Sequence, residues 1–244
     1  METQQIIAIE NLHKSFGTNA ILKGINLKLN KGENLVILGR SGSGKSVTIK
    51  CIVGLVKSDK GSIKISGQEI TDLKYEELNS LRVRIGFMFQ NGALYDSMSV
   101  RQNLKFTLKH HTSDLSEEEI ESKIIEALES VGLEESIDKM PAELSGGMQK
   151  RIALARAIII KPEIILYDEP TSGLDTITSR EISELILDVQ KKFKTSSIII
   201  THDMPCAKIT GNRILILKEG EIIAEGTYTE LEKSTDEWVR SFFI

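Results

Sequence analysis

The stretch Gly39-Arg40-Ser41-Gly42-Ser43-Gly44-Lys45-Ser46 limits what this chain can fold into more than any other. It follows the pattern G-x-x-x-x-G-K-[ST]. A short apolar run, Asn34 to Leu38, leads into it, and a helical segment, Val47 to Val53, leaves it. A strand, a glycine-rich loop and a helix in that order form a cradle for phosphate. Glycine's backbone freedom lets successive N–H groups turn inward. Those groups, with the positive end of the following helix, stabilise phosphate oxygens. Lys45 then reaches the β- and γ-phosphates of a bound nucleotide, and the Ser46 hydroxyl ligates Mg²⁺. Residues 39–46 and Val47 are therefore candidate contacts for a nucleoside triphosphate.

Two further strand ends supply the remaining chemistry. Ile164 to Tyr167 is an apolar strand that runs into Asp168-Glu169. Ligands in open α/β sheets bind at the carboxyl ends of the strands. Asp168 is placed to hold Mg²⁺, directly or through water. Glu169 is placed to act as general base on the attacking water. His202 follows the strand Ser197 to Thr201 and can contact the γ-phosphate and the water. Gln90 follows Ile85 to Phe89 and can offer its amide oxygen to the metal or the water. Taken singly, each admits a plainer role: acids at a strand end also cap turns, and a lone histidine is more often a surface residue.

The rest of the chain narrows the class. Its 244 residues are enough for a substantial core. A net charge of −4 argues against a nucleic-acid partner. No run approaches the ~18 apolar residues of a spanning helix. Met1 to Glu10 lacks a basic region followed by an apolar one. The expectation is a soluble, cytosolic chain that meets a membrane only through a partner. Cys51 and Cys206 fit no metal or redox spacing and are expected to be buried. Ile6 to Glu10 and Ile25 to Leu29 alternate as half-buried strands do, and Ser66-Gly67 joins Ser62–Ile65 to Gln68–Ile70 as a hairpin. The middle of the chain is helical: Glu76–Arg84, Arg101–His111, Leu115–Val131 with a Ser116/Glu119 capping box, and Met148–Ile160. Strands and helices then alternate again: Ile164–Tyr167, Ser179–Lys194, Ser197–Thr201, then Arg213–Lys218 paired with Glu221–Glu225. This predicts an α/β fold with a parallel sheet.

Leu144-Ser145-Gly146-Gly147-Met148-Gln149 resembles the signature motif of ABC ATPases. Phe16, the phosphate loop, Gln90, this motif, Asp168-Glu169, Ser172-Gly173-Leu174-Asp175 and His202 occur in that family's order, and the resemblance covers nearly the whole chain. It implies a P-loop NTPase core with an antiparallel β subdomain and a helical insert that carries the signature. Residues 1–244 then form one ATP-binding domain: a catalytic core of about 1–90 and 162–230, a helical subdomain of about 91–161, and a tail of about 231–244. It also implies an ATPase that uses ATP and Mg²⁺ as a homodimer. Phe16 stacks on adenine, while Ser145, Gly146, Gly147 and Asp175 complete the site of the opposite subunit. Phe16 stands where a tyrosine is common, so stacking survives and a phenol hydrogen bond does not.

Phe89-Gln90-Asn91-Gly92-Ala93-Leu94, Met140-Pro141-Ala142-Glu143 and the tail Asp236-Glu237-Trp238-Val239-Arg240-Ser241-Phe242-Phe243 resemble Mla-type ATPases, which serve MCE-domain phospholipid transporters. That resemblance implies a membrane permease, a periplasmic MCE lipid-binding protein, and a position at the cytoplasmic face of the inner membrane. Leu94, Tyr95 and Met98 are expected as an exposed set for the permease's coupling helix. Trp238, Phe242 and Phe243 pack either on the neighbouring subunit or on their own domain. The alternatives are an ATPase for amino-acid or methionine import or lipoprotein release, or a soluble ABC ATPase outside transport.

Overall fold

The computed structural model describes residues 4–111 and 115–243. In chain order the first part forms β1 (Gln5–Phe16), β2 (Asn19–Asn30), β3 (Asn34–Leu38), α1 (Lys45–Ile52), β4 (Lys60–Ile65), β5 (Gln68–Glu69), α2 (Tyr75–Arg82) and β6 (Ile85–Met88). Three long helices follow: α3 (Val100–His111), α4 (Glu117–Glu129) and α5 (Gly146–Ile158). The last part holds β7 (Ile164–Asp168), α6 (Thr176–Phe193), β8 (Ser196–Thr201), α7 (Met204–Thr210), β9 (Arg213–Lys218), β10 (Glu221–Gly226), α8 (Tyr228–Glu232) and α9 (Glu237–Arg240).

Two sheets result. The first is antiparallel, in the order β2-β1-β4-β5. The second runs β10-β9-β3-β8-β7-β6, parallel from β9 to β6 with β10 antiparallel at its edge. The sequence pattern explains the division. In β3, Val36 and Leu38 face one core while Leu35 and Ile37 face the other. β7 does the same with Ile165 and Tyr167 against Ile164 and Leu166. A strand buried on both faces reads as a continuous apolar run, as these do. One core lies between the parallel sheet and the helices α3 to α6. The other lies between that sheet, α1 and the antiparallel sheet.

Some expectations were too short. β1 and β2 each run 12 residues, extending through Asn11–Phe16 and Asn19–Gly24, where Leu12 and Leu22 are buried. Shifts of register at Leu12 and His13 carry the hairpin past the alternating stretch. α7 was not anticipated. Its start signals are present: Asp203 caps it by accepting from the Cys206 N–H, and Pro205 sits in its first turn. The Ser116/Glu119 capping box forms as read. Cys51 and Cys206 are buried free thiols.

Candidate active site

The strand ends meet at one edge. β3 and β8 pair with Leu38 beside Thr201, and β8 and β7 pair with Ile200 beside Asp168. The residues that follow these positions therefore share a single crevice: the 39–46 loop, Glu169 and His202. Gly39 must be glycine, since a Cβ there would lie 2.5 Å from the Leu217 carbonyl and 2.6 Å from Ser43 Oγ. Gly44 caps α1 with φ +108°, a conformation an L side chain rarely adopts. Arg40, Ser41 and Gly42 are exposed along the loop, while Ser43, Gly44 and Lys45 are buried and Ser46 and Val47 half-buried.

Lys45 donates from Nζ to the carbonyls of Gly39 at 2.7 Å and Arg40 at 3.2 Å. It also lies 3.7 Å from Glu169 Oε1. Burial lowers its pKa, and the nearby Glu169 and Asp168 charges oppose that shift. The Ser46 hydroxyl donates to Asp168 Oδ1 at 2.9 Å. Hydroxyl and carboxylate thus converge on one point. Among the described residues no three His, Cys, Asp or Glu side chains gather to bind a metal. A hydroxyl with one carboxylate suits Mg²⁺, which takes few protein oxygens beside substrate phosphates and water. Ser43 Oγ is buried with no hydrogen-bond partner, so the loop holds a polar atom still to be satisfied.

Glu169 is buried and has φ +52°, a region uncommon for a residue with a side chain. Its N–H donates to the Ile200 carbonyl at 2.9 Å. Its carboxylate Oε2 lies 2.8 Å from His202 Nδ1 and accepts from the His202 N–H at 3.3 Å. The His202 ring is otherwise 65% exposed, so it reaches Glu169 from the solvent side of the crevice.

Gln90 lies two residues past the end of β6, exposed, and its carbonyl accepts from Lys150 Nζ. Phe16 ends β1 and is 52% exposed, with Lys14 Nζ 5.3 Å from its ring centre. Ser145 caps α5 by accepting from the Met148 N–H, and Ser145 and Gly146 are exposed. This loop packs near Leu174 and Thr178. Among the described residues no hydrogen bond joins Ser145–Gly147 to the 39–46 loop. Asp175 caps α6, accepting from the Thr178 hydroxyl at 2.6 Å and from two N–H groups.

At the periphery one expectation is corrected, and one of the two arrangements left open for the tail is seen within the chain. Leu94 and Met98 are half-buried, and Tyr95 alone of that set is exposed. The cause is Asn103, fully buried on α3. Its amide accepts from the Tyr95 N–H and donates to the carbonyls of Tyr95, Met98 and Ser99. That folds the loop back and draws Leu94 and Met98 inward. The tail packs on its own domain: Trp238, Phe242 and Phe243 pack against the helical core. Trp238 also lies between two cations, Lys218 Nζ at 4.8 Å and Arg40 of the phosphate loop at 5.7 Å. Lys150 and Trp238 are the site-adjacent residues whose contacts the sequence did not reveal.

The ABC transporter family profile matches residues 22–172. The chain belongs to the ABC transporter family. It is therefore an ABC transporter ATPase subunit, which hydrolyses ATP with Mg²⁺. It is 39% identical to the Arabidopsis thaliana protein trigalactosyldiacylglycerol 3, chloroplastic, over 99% of this chain and 74% of that one. It is 39% identical to the probable ribonucleotide transport ATP-binding protein mkl of Mycobacterium leprae, over 97% and 68%. A methionine import ATP-binding protein of Campylobacter jejuni is also 39% identical, over 93% and 72%. The fold superposes on a dimeric ATP-binding cassette bound to ADP and Pi with a TM-score of 0.83, at 34% identity, over 91% of this chain and 98% of the other. These likenesses bear out the ABC ATPase fold expected from the sequence. Among the described residues no helix is long and apolar enough to cross a membrane.

Proposed function

We propose that this ATPase works as a homodimer with two shared ATP sites and drives phospholipid transport through a membrane permease and an MCE-type lipid-binding protein. One observation carries the catalytic part: Ser46–Asp168 and Glu169–His202 converge with Lys45 at a single sheet edge. Lys45 and the loop N–H groups bind the β- and γ-phosphates, and Phe16 stacks on adenine. Ser46, Asp168 and Gln90 hold Mg²⁺, which when bound neutralises charge on the phosphate oxygens. Glu169 takes the proton of the attacking water, and His202 holds the Glu169 carboxylate in place. Ser145 and Gly146 are exposed at a helix N-terminus, fit to contact a phosphate held by another chain. Ser145, Gly146, Gly147 and Asp175 thus complete the partner's site. ATP favours the closed dimer, and hydrolysis releases it. The dimeric cassette with ADP and Pi is a relative consistent with this cycle.

A groove of about 570 Å³ supports the permease contact. Phe87, Phe89, Tyr95, Phe106, His110 and Arg156 line it, at the junction of the parallel sheet and the helical segment. The coupling helix of a permease fits there and holds the chain at the cytoplasmic face of the membrane. The lipid cargo rests on the residues around Gln90 and on the tail, and a relative named for a galactolipid supports it. The methionine-import relative marks the rival cargo. Purification of the tagged chain from native membranes tests the choice. Recovery of a permease with an MCE-domain protein is expected, and recovery of an amino-acid permease would defeat the lipid reading.

A further inference from the structure

We propose that Lys150 is a positioning residue that ties the signature helix to the catalytic loops of its own subunit, so that contact at one ATP site sets the geometry of the other. Lys150 lies on α5, five residues after the Ser145 cap, and is buried. Its ammonium has three donors. They meet the carbonyl of Gln90, the carbonyl of Glu169 at 3.3 Å and the hydroxyl of Ser172 at 3.3 Å. The three acceptors lie in two loops: Gln90 in the one that follows β6, and Glu169 and Ser172 in the one that joins β7 to α6.

A lysine here is costly. Burial lowers its pKa, and only the nearby Glu169 and Asp168 charges offset that. All three of its hydrogen-bond partners are neutral. Beyond Arg151, the residues that follow on α5, Ile152, Ala153, Leu154 and Ala155, are apolar and fully buried. An apolar residue would fill the same space with no desolvation cost. The lysine adds a tie from the signature helix to both catalytic loops. It also holds the unusual backbone of Glu169. The Glu169 N–H donates to the Ile200 carbonyl, and the Glu169 carbonyl accepts from Lys150, so the peptide units on both sides of its Cα are held. With φ at +52°, the carboxylate is thereby directed to His202 and Lys45.

The other end of α5 explains why the link matters. Ser145 and Gly146 are exposed there. In the dimer proposed above, on which this inference rests, they touch the nucleotide bound by the partner. α5 is 13 residues of continuous helix, so a shift at Ser145 is carried to Lys150 one and a half turns along. Lys150 passes it to Gln90 and Glu169. Coupling of this kind needs a packed element that both sites bias, and α5 with Lys150 provides one.

The test compares the full-length wild type with Lys150→Met, Lys150→Arg and Ser172→Ala. The readouts are ATPase rate against ATP concentration, binding of a fluorescent ATP analogue, and thermal unfolding. Lys150→Met is expected to lower kcat ~10- to 100-fold, with analogue affinity within ~3-fold and the Hill coefficient falling to ~1. Lys150→Arg restores part of kcat, because it keeps the charge and the donors. Ser172→Ala lowers kcat less, and adds nothing on the Lys150→Met background. Should Lys150→Met prove unstable, Ser172→Ala and Lys150→Arg still carry the comparison. Full turnover in Lys150→Met with the wild-type Hill coefficient would overturn the proposal. So would parallel loss of binding, stability and kcat without rescue by arginine. Light scattering of Glu169→Gln with ATP separates the two ideas. A monomer there refutes the dimer, whereas a dimer combined with unaffected Lys150→Met kinetics refutes the lysine's role alone.

Discussion

Replacing Glu169 by glutamine isolates proton abstraction from binding. The substitution keeps the shape and the hydrogen-bonding capacity of the side chain, so the His202 contact at 2.8 Å can persist through the amide. It removes the negative charge 3.7 Å from Lys45 Nζ. Lys45 retains the carbonyls of Gly39 and Arg40 and the field of Asp168, so the fold loses about 1–2 kcal/mol rather than collapsing. For a chain of this length that is a fall in Tm of roughly 2–8 °C. A general base contributes about 10²–10⁴ in rate, equivalent to about 3–5 kcal/mol of barrier. The variant should therefore hydrolyse ATP at least ~100-fold more slowly. ATP affinity should stay the same or rise, because a negative charge has left the surroundings of a polyanion. Phosphate release gives the rate, and a fluorescent ATP analogue gives the affinity. An unchanged rate would remove Glu169 as the base. A lost affinity would mean that its role is to build the loop rather than to move a proton.

Three further outcomes are expected. Phe16→Ala should raise KM for ATP about 10-fold with kcat near wild type, and the loss should be similar for GTP because the ring reads no base edge. Ser46→Ala should lower kcat and raise the Mg²⁺ concentration that gives half-maximal turnover, while EDTA stops the wild type; normal Mg²⁺ dependence in the variant would exclude Ser46 as a ligand. Glu69 supplies a pH signature remote from the site. Burial acts to raise its pKa, but hydrogen bonds from Ser62, Thr71 and the Ile63 and Thr71 N–H groups outweigh it and bring it down to about 2 from 4.5. A carboxylate depressed on folding stabilises fully above its unfolded pKa, and that contribution fades as pH falls from 4.5 toward 2. Thermal melts across that window should show a shallower acid slope for Glu69→Gln than for the wild type.

Local patterns revealed the site where chemistry and strand ends coincide. The apolar runs that lead into the 39–46 loop, Asp168-Glu169 and His202 put Lys45, Glu169 and His202 on one sheet edge. Long-range convergence was not legible. Lys150 reads in sequence as one of several basic residues on a helix, yet its acceptors lie 60, 19 and 22 residues away. Only the fold unites them. The same holds for Trp238, which the tail brings to Arg40 almost 200 positions earlier. The expectation that Leu94 and Met98 are exposed comes from the resemblance to a permease-docking segment, and the buried Asn103 amide that gathers that segment lies on the next helix. α7 is a different kind of miss: Asp203 and Pro205 were adequate local signals for a helix start.

In the proposed dimer each ATP site is built from two chains, Lys45 of one and Ser145 of the other. Lys45→Ala and Ser145→Arg, each inactive alone, should regain turnover when mixed, because one site of each mixed dimer is intact. At equal amounts this amounts to about a quarter of the wild-type sites. A chain carrying both substitutions should not form an intact site with the wild type. The two-chain site is refuted if the mixture of single variants stays inactive while wild type keeps all its own activity, rather than about half, when mixed with an equal amount of the double variant.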